Sequence, residues 1–192
     1  MRNISLIFVT LFAFTFSFSQ SKTNSDFGIK GGLNFATVYS DPSASAKVGI
    51  NIGIFVDIKS SEKFHFQPEI IYSMQGTSIS QNGQSAQINL NYINLPIMAK
   101  YFVNKDFNFQ FGPQFGALVT STVSAGTITV DASSLFKNID YGLNLGIGYT
   151  INPKVMIDAR YNIGLSGLAK DLPPGERDLN NRVFSISIGY KL

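Results

Sequence analysis

Eight charged side chains stand in stretches where every second residue is apolar, always on the polar parity: Lys30, Asp57, Glu69, Lys100, Asp140, Asp158, Arg160 and Lys191. If each stretch is a β-strand, these charges share one face of a sheet. Enclosed charges must pair, because an isolated buried charge is costly. The pattern predicts an internal network of ion pairs and hydrogen bonds, with Glu69 and Lys100 as the best single pair. A proton or ion path along these groups is the alternative.

The single histidine, His65, is the only candidate for an imidazole general base. A lipid-modifying enzyme of the acyltransferase or deacylase kind would need such a base beside Ser and Asp or Glu, near the outer leaflet. His65 instead stands one residue into a strand, beside a short turn. We therefore expect a structural or solvated histidine, no catalytic residues and no enzyme.

Metal and cofactor sites are also not expected. The stretch "DLPPGERDLN" contains Asp171, Glu176 and Asp178, whose carboxylates could bind calcium. Their spacing matches no known calcium loop, however, and Pro-Pro-Gly primarily indicates a turn. "GIG" at 146–148 precedes a strand rather than a helix, which argues against phosphate binding. The chain has no cysteine, which excludes disulfides and thiolate sites.

The elements that must position these groups are eight alternating segments. They cover Phe27–Val38, Lys47–Lys59, Phe64–Gln75, Gln87–Val103, Phe107–Ser121, Ile139–Thr150, Val155–Leu165 and Arg182–Leu192. Connections alternate between short turns and long loops rich in Ser, Gly, Thr, Asp and Pro. Short turns at one end of the sheet and long loops at the other are typical of an outer-membrane barrel. In the third long loop, Thr127 to Val130 alternate again and predict a projecting hairpin.

The apolar parity of the fourth segment changes from even (Ile88, Leu90, Tyr92) to odd (from Ile93 onward). An extra residue would produce such a change, so the pattern predicts a β-bulge near Tyr92 and Ile93.

Two features predict that the apolar face points outward into lipid. The polar face carries most of the glycines, which suits the narrow lumen of an eight-stranded barrel better than a solvated surface. Aromatic residues gather near both ends of the segments, as two girdles do at the membrane interfaces. The first girdle contains Phe27, Phe64, Phe66, Tyr101, Phe107, Tyr149 and Tyr190, and the second Phe35, Tyr72, Phe115, Tyr141, Tyr161 and Phe184.

Composition and the start of the chain agree with export. Residues 1–19, with Arg2 followed by an apolar run and small residues at Ser17 and Ser19, are typical of a secretory signal peptide. Residues 20–192 would then form one barrel domain. Charged residues make up only 14% and the net charge is +3, without a Lys/Arg cluster, so nucleic acid is not an expected partner.

Seven stretches together resemble the PorT family of outer-membrane β-barrel proteins from Bacteroidetes-type bacteria: "FGIKGGLNFATV", "FHFQPEIIYSMQG", "YINLPIMAKYF", "FGPQFG", "DYGLNLGIGY", "IDARYNIGL" and "NRVFSISIGYKL". The resemblance implies an eight-stranded barrel assembled in the outer membrane, and its founding member is implicated in type IX secretion. It supplies no catalytic residues.

The sequence therefore predicts an all-β, eight-stranded antiparallel up-and-down transmembrane barrel in the cell outer membrane. We expect a non-enzymatic scaffold with a plugged polar interior, in contact with outer-membrane lipid and binding secretion-system or surface proteins through its long loops. A porin-like conduit for small solutes or hydrophobic compounds, a lipid-modifying enzyme and a soluble periplasmic barrel are the alternatives.

Overall fold

The computed structural model describes residues 25–39, 44–81, 84–170 and 178–192. Residues 1–19, assigned above to a signal peptide, lie outside this part of the chain. The described residues form nine strands, namely β1 (Ser25–Tyr39), β2 (Ala44–Lys59), β3 (Phe64–Gln81), β4 (Gln84–Phe102), β5 (Phe107–Ala125), β6 (Ile128–Asp131), β7 (Ile139–Asn152), β8 (Val155–Gly164) and β9 (Asn180–Lys191). Within the described residues, no helix is long and apolar enough to cross a membrane.

Eight of the strands close into a barrel. The sheet order is β4-β3-β2-β1-β9-β8-β7-β5, and pairing between β4 and β5 joins its two ends. Every pairing between neighbours is antiparallel. Closure leaves no unpaired edge in the barrel wall, which lipid could not hydrogen-bond. The predicted fold class is confirmed.

The remaining strand, β6, extends the wall beyond the barrel. It pairs with the end of β5 from Thr122 to Ala125, and the turn between them contains Gly126 at φ 60°. A positive φ favours glycine, because a Cβ would be strained there. The hairpin predicted in the third long loop is confirmed.

The connections β2–β3, β4–β5 and β7–β8 are all short and lie at one end of the barrel, which we call the short-turn end. Asn104 accepts hydrogen bonds from the amides of Asp106 and Phe107, and Asn152 does the same for Lys154 and Val155. These side-chain caps explain how so few residues reverse the chain. At the opposite, long-loop end, β4 and β5 reach 19 residues each, whereas β8 has only 10.

The outer surface of the barrel is apolar and the interior is polar. Ile52, Leu145 and Ile188, each in the middle of its strand, are 54–60% exposed, whereas Gln67, Asn144 and Asp158 are at most 3% exposed. A soluble barrel has the opposite arrangement. The wall is therefore built to face hydrocarbon.

Glycines on the inner face admit the few large side chains of the lumen. Phe55, the inward aromatic of β2, is 2% exposed. A Cβ added to Gly28 would lie 2.2 Å from Phe55 Cζ, and one added to Gly189 would lie 3.2 Å from Phe55 Cε1. The ring occupies the space that these two glycines leave.

The bulge predicted in β4 lies instead on β5. Asn91 pairs with Thr120 and Tyr92 with Leu118, so the extra residue is Val119. The pairing of β4 with β3 runs from Asn94 to Gln84 without a shift. The parity change of β4 therefore has another cause.

That cause is a change of surroundings along a regular strand. Toward the short-turn end, outward residues such as Ile93 and Leu95 are apolar and the inward Asn94 is polar. Toward the long-loop end, the outward Asn91 is polar, and the inward Leu90 and Tyr92 are apolar and fully buried. The strand leaves the lipid-facing zone between Asn91 and Ile93. Beyond this point its outward side faces water and its inward side packs in a small apolar core.

Candidate functional site

Four charged side chains form an ionic network across the middle of the lumen, which we define as Lys30, Glu69, Asp158 and Arg160. Lys30 Nζ lies 2.9 Å from Asp158 Oδ2 and 3.4 Å from Glu69 Oε1. Arg160 Nη2 donates to Glu69 Oε1 at 2.7 Å, and Arg160 Nε lies 3.1 Å from Asp158 Oδ1. All four side chains are at most 5% exposed. Two cations and two carboxylates balance in charge, which offsets part of the cost of burying them.

A second cluster lies nearer the short-turn end. Asp57 accepts a hydrogen bond from Lys191 Nζ at 2.8 Å and lies 2.9 Å from His65 Nδ1. Lys191 also donates to Asp26 at 2.9 Å, and Asp26 forms an ion pair with the half-exposed Lys59. His65 is therefore tied to a carboxylate at the end of the barrel remote from the long loops.

The expected direct pair of Glu69 with Lys100 does not form. The register between β3 and β4 places Lys100 opposite His65 rather than opposite Glu69. Lys100 instead donates to Gln67 Oε1, while Gln67 Nε2 donates to Glu69 at 2.6 Å. Gln67 is thus a bridge between the two predicted partners, a role that sequence parity alone did not reveal.

Asp140 is buried near the long-loop end, apart from the ionic network. It accepts hydrogen bonds from Ser166 Oγ and, at 2.9 Å, from Asn181 Nδ2. The prediction grouped all eight charges into one network. Among the described residues, the side chains that donate hydrogen bonds to Asp140 are instead uncharged.

Amide and hydroxyl side chains cover the lumen wall beside the ionic network in two ladders. In the first, Asn51 Nδ2 donates to Asn34, Asn34 Nδ2 donates to Ser73, and Ser187 donates to Asn51. This ladder ties together β1, β2, β3 and β9.

The second ladder lies on the other side of the lumen. Asn162 Nδ2 donates to Asn144 at 3.0 Å, and Asn144 Nδ2 donates to Gln114 at 3.1 Å. It joins β8, β7 and β5.

A cavity of about 40 Å³ lies among these side chains, and we call it the chamber. Lys30 and Arg160 of the ionic network line it, together with members of both ladders and Asn94. Ile71, Pro96 and Val183 add an apolar share of the wall. The sequence analysis did not predict a cavity. Which side chains face each other across the lumen depends on the strand register and on closure of the barrel, and neither can be read from single strands.

A buried apolar cluster lies at the long-loop end of the lumen, and we call it the apolar cap, defined as Val38, Leu90, Tyr92, Ala132, Phe136 and Leu168. All six residues are at most 7% exposed. Ala132 and Phe136 come from the segment after β6, and Leu168 from the segment after β8. The Lys137 amide donates to Leu168 O at 2.8 Å and the Lys170 amide donates to Leu135 O at 3.0 Å, so the two segments are joined by backbone bonds.

The acidic stretch considered for calcium is only partly described. Asp171 and Glu176 lie outside the described residues. Asp178 forms an ion pair with Lys137 at 3.3 Å and accepts from the Leu179 amide. Within the described part of the chain, no group of three or more potential metal ligands occurs.

A closed eight-stranded wall, apolar outside and charged inside, with short turns at one end, defines a transmembrane β-barrel of the outer-membrane type. The family model of the outer membrane protein beta-barrel domain matches residues 18–170. The chain belongs to this family, and the protein resides in the outer membrane. The short-turn end is periplasmic and the long-loop end extracellular, as in other barrels of this type.

Solved structures share the fold at low sequence identity. Neisserial surface protein A has a TM-score of 0.60 and 14% identity, over 88% of this chain and 99% of its own. Ail, the attachment invasion locus protein of Yersinia pestis, in complex with the heparin analogue sucrose octasulfate, has a TM-score of 0.52 and 13% identity over 88% and 99% of the two chains. At such identities the likeness concerns the fold. No curated protein matches the sequence.

Proposed function

We propose that this protein is a non-enzymatic scaffold of the outer membrane, closed to solutes and binding partner proteins through its extracellular surface. The observation that carries the proposal is closure of the lumen at two levels. The ionic network crosses the middle of the barrel, and the apolar cap covers its extracellular end. A passing solute would have to break buried ion pairs and displace packed apolar side chains, both of which are costly.

The extracellular surface supports the partner-binding part of the proposal. Strands β4 and β5 continue past the lipid-facing zone, and their outward side chains there are polar, as in the hydrogen bond from Asn91 to Thr120. Beyond them, Ile128 and Val130 of β6 are 68% and 54% exposed. Ail, which shares the fold, is described as an attachment protein. A similar surface role for this chain is part of the proposal.

The setting of His65 supports a non-enzymatic role. It is bound to Asp57 near the periplasmic rim, across the barrel from outer-leaflet lipid. An enzyme acting on that lipid would need its base at the opposite end.

The finer role is an accessory one in type IX protein secretion. It rests on the seven stretches that resemble the PorT family, among them "YINLPIMAKYF" and "DYGLNLGIGY".

A small-solute conduit is the second candidate, and the chamber is the observation that favours it. The chamber already provides a polar space inside the lumen, so removal of the cap and a shift of Arg160 would open a path.

Planar-bilayer recordings distinguish the two candidates. We expect the reconstituted protein to give no steady conductance, and Phe136→Ala, which opens the cap, to leave the current at baseline because the ionic network still closes the lumen. Steady single-channel current in the unmodified protein would overturn the scaffold proposal in favour of the conduit.

Partner binding needs a second measurement. Cross-linking in native outer membranes, followed by affinity purification, should recover defined surface or secretion proteins. Deletion of the gene should lower export of surface proteins if the accessory role holds. Recovery of partners without an export defect would reject the secretion role alone, and recovery of none would reject the scaffold.

A further inference from the structure

The charged groups that line the chamber are of one sign. Lys30 and Arg160 belong to its lining, whereas their carboxylate partners Glu69 and Asp158 do not. The remaining lining residues are Asn, Gln and Ser, whose side chains both donate and accept hydrogen bonds, and three apolar residues. A space lined by two cationic side chains and no carboxylate favours negative charge.

Arg160 has donor capacity left over. Its side chain is 5% exposed. Its Nε donates to Gln110 at 2.8 Å and its Nη2 donates to Glu69 at 2.7 Å. Among the described residues, Nη1 has no hydrogen-bond partner, although a guanidinium has five N–H donors. Because Arg160 lines the chamber, a guanidinium N–H without a partner is available to an anion there.

Asn94 offers a second set of free donors. It is 5% exposed, lines the chamber, and makes no side-chain hydrogen bond within the described part of the chain. The ladder amides of Asn34, Asn51 and Asn144 are held by one another, so they keep the wall of the chamber in place.

The size of the chamber limits its occupant. A volume of about 40 Å³ has room for one halide ion or roughly three waters.

We propose that the chamber is a binding site for a small monovalent anion of the chloride class, held by Arg160, Lys30 and the amide of Asn94. The ionic network is neutral as a whole, and its cationic groups form one boundary of the chamber. The anion completes the hydrogen bonding of the guanidinium. This site is independent of the scaffold role, since it needs neither a partner nor conduction.

Chloride binding is measured on the refolded full-length mature protein in detergent micelles, by ³⁵Cl NMR line broadening with bromide as competitor. We expect broadening that bromide reverses. Asn94→Asp places a carboxylate in the chamber without removing any hydrogen bond of the described residues, and Coulomb repulsion at an effective dielectric constant of about 20 should weaken chloride binding by at least about tenfold.

Asn108→Asp is the matched control. Asn108 is equally buried and inward-facing, accepts from Gln110 Nε2, and does not line the chamber. It should keep chloride broadening close to that of the unmodified protein. The gel shift between boiled and unboiled samples verifies that each variant is folded. No reversible broadening in the unmodified protein, or equal broadening in it and in Asn94→Asp, would show a water-filled chamber and overturn the proposal.

Discussion

Glu69 is the point on which the interior contacts converge. It accepts from Arg160, Lys30 and Gln67, and through Gln67 it is connected to Lys100. Its side chain has no exposed surface. The carboxylate of Glu69 therefore compensates the positive charge of two buried side chains, Lys30 and Arg160.

Glu69→Gln should therefore destabilise the barrel strongly. The substitution keeps the shape but leaves Arg160 and Lys30 with one carboxylate, Asp158, between them. We expect a loss of about 3–5 kcal/mol in the free energy of unfolding, measured by urea titration in lipid vesicles.

Lys59→Gln is the control for this prediction. Lys59 also forms an ion pair with a carboxylate, but both side chains are more than 30% exposed at the periplasmic rim. Its loss should cost at most about 1 kcal/mol. Equal effects of the two substitutions would mean that the ionic network contributes no more than a surface pair.

Gly28 gives a second prediction at this scale. A Cβ there would lie 2.2 Å from Phe55 Cζ and 2.6 Å from the carbonyl oxygen of Tyr190. Gly28→Ala should cost about 1–3 kcal/mol through overpacking. Gly31→Ala, on the same strand, would bring its Cβ only to 3.7 Å from Asn51 O and should be tolerated. Urea titration compares the two, and similar midpoints would contradict a packed lumen around Phe55.

At the scale of elements, the apolar cap gives extracellular segments a fixed structure. Phe136 pairs with Ala169 as an isolated β-bridge, and its side chain is 7% exposed. Its neighbour Leu135 is 60% exposed.

Phe136→Ala should loosen the cap without unfolding the barrel. Truncation of a buried Phe typically costs about 3–5 kcal/mol, and here the loss falls on the segments joined through Leu168. We expect limited proteolysis on whole cells to cleave near residues 132–138 at least several-fold faster. Leu135→Ala should leave the rate unchanged, and accelerated cleavage in both variants would refute a packed cap.

The sequence predicted the elements well and their tertiary contacts less well. Period-two alternation identified the eight barrel strands and the hairpin of β6, because a membrane barrel gives each strand two contrasting faces. Several strands, among them β3 and β4, extend further at the long-loop end than predicted. In β4 the contrast between the two faces inverts there, and the pattern predicted a bulge in its place.

The candidate site was predicted at the level of which residues face inward, and not at the level of which residues meet. The alternation of polar and apolar residues within β3 and within β8 was enough to predict that Glu69 and Arg160 face inward. Their contact joins β3 to β8, which are not neighbours in the sheet, so it depends on closure of the barrel. The sequence analysis selected interior residues by their charge. Gln67 and the residues of the amide ladders are uncharged, so it did not identify them.

At the scale of the whole molecule, two apolar surfaces of similar exposure have different surroundings. Ile52 on the barrel wall is 60% exposed and Ile128 on the hairpin is 68% exposed. Only the former lies among the outward apolar residues of the lipid-facing zone.

Ile52→Arg should therefore impair folding into a membrane, whereas Ile128→Arg should not. An arginine near the bilayer midplane costs about 2–4 kcal/mol, and one in water costs little. Folding yield into vesicles, scored by the gel shift, measures the difference. Equal yields would contradict the assignment of the wall to lipid.

The unequal strand lengths make the mouth of the barrel lopsided. Because the periplasmic turns are all short, the nine additional residues of β4 and β5 relative to β8 raise one flank by roughly 20 Å at the usual strand tilt. Among the described strands, the tall flank with its hairpin extends furthest from the membrane. If the extracellular surface binds a partner as proposed, copies of the barrel that turn their tall flanks the same way would present that partner in the same orientation.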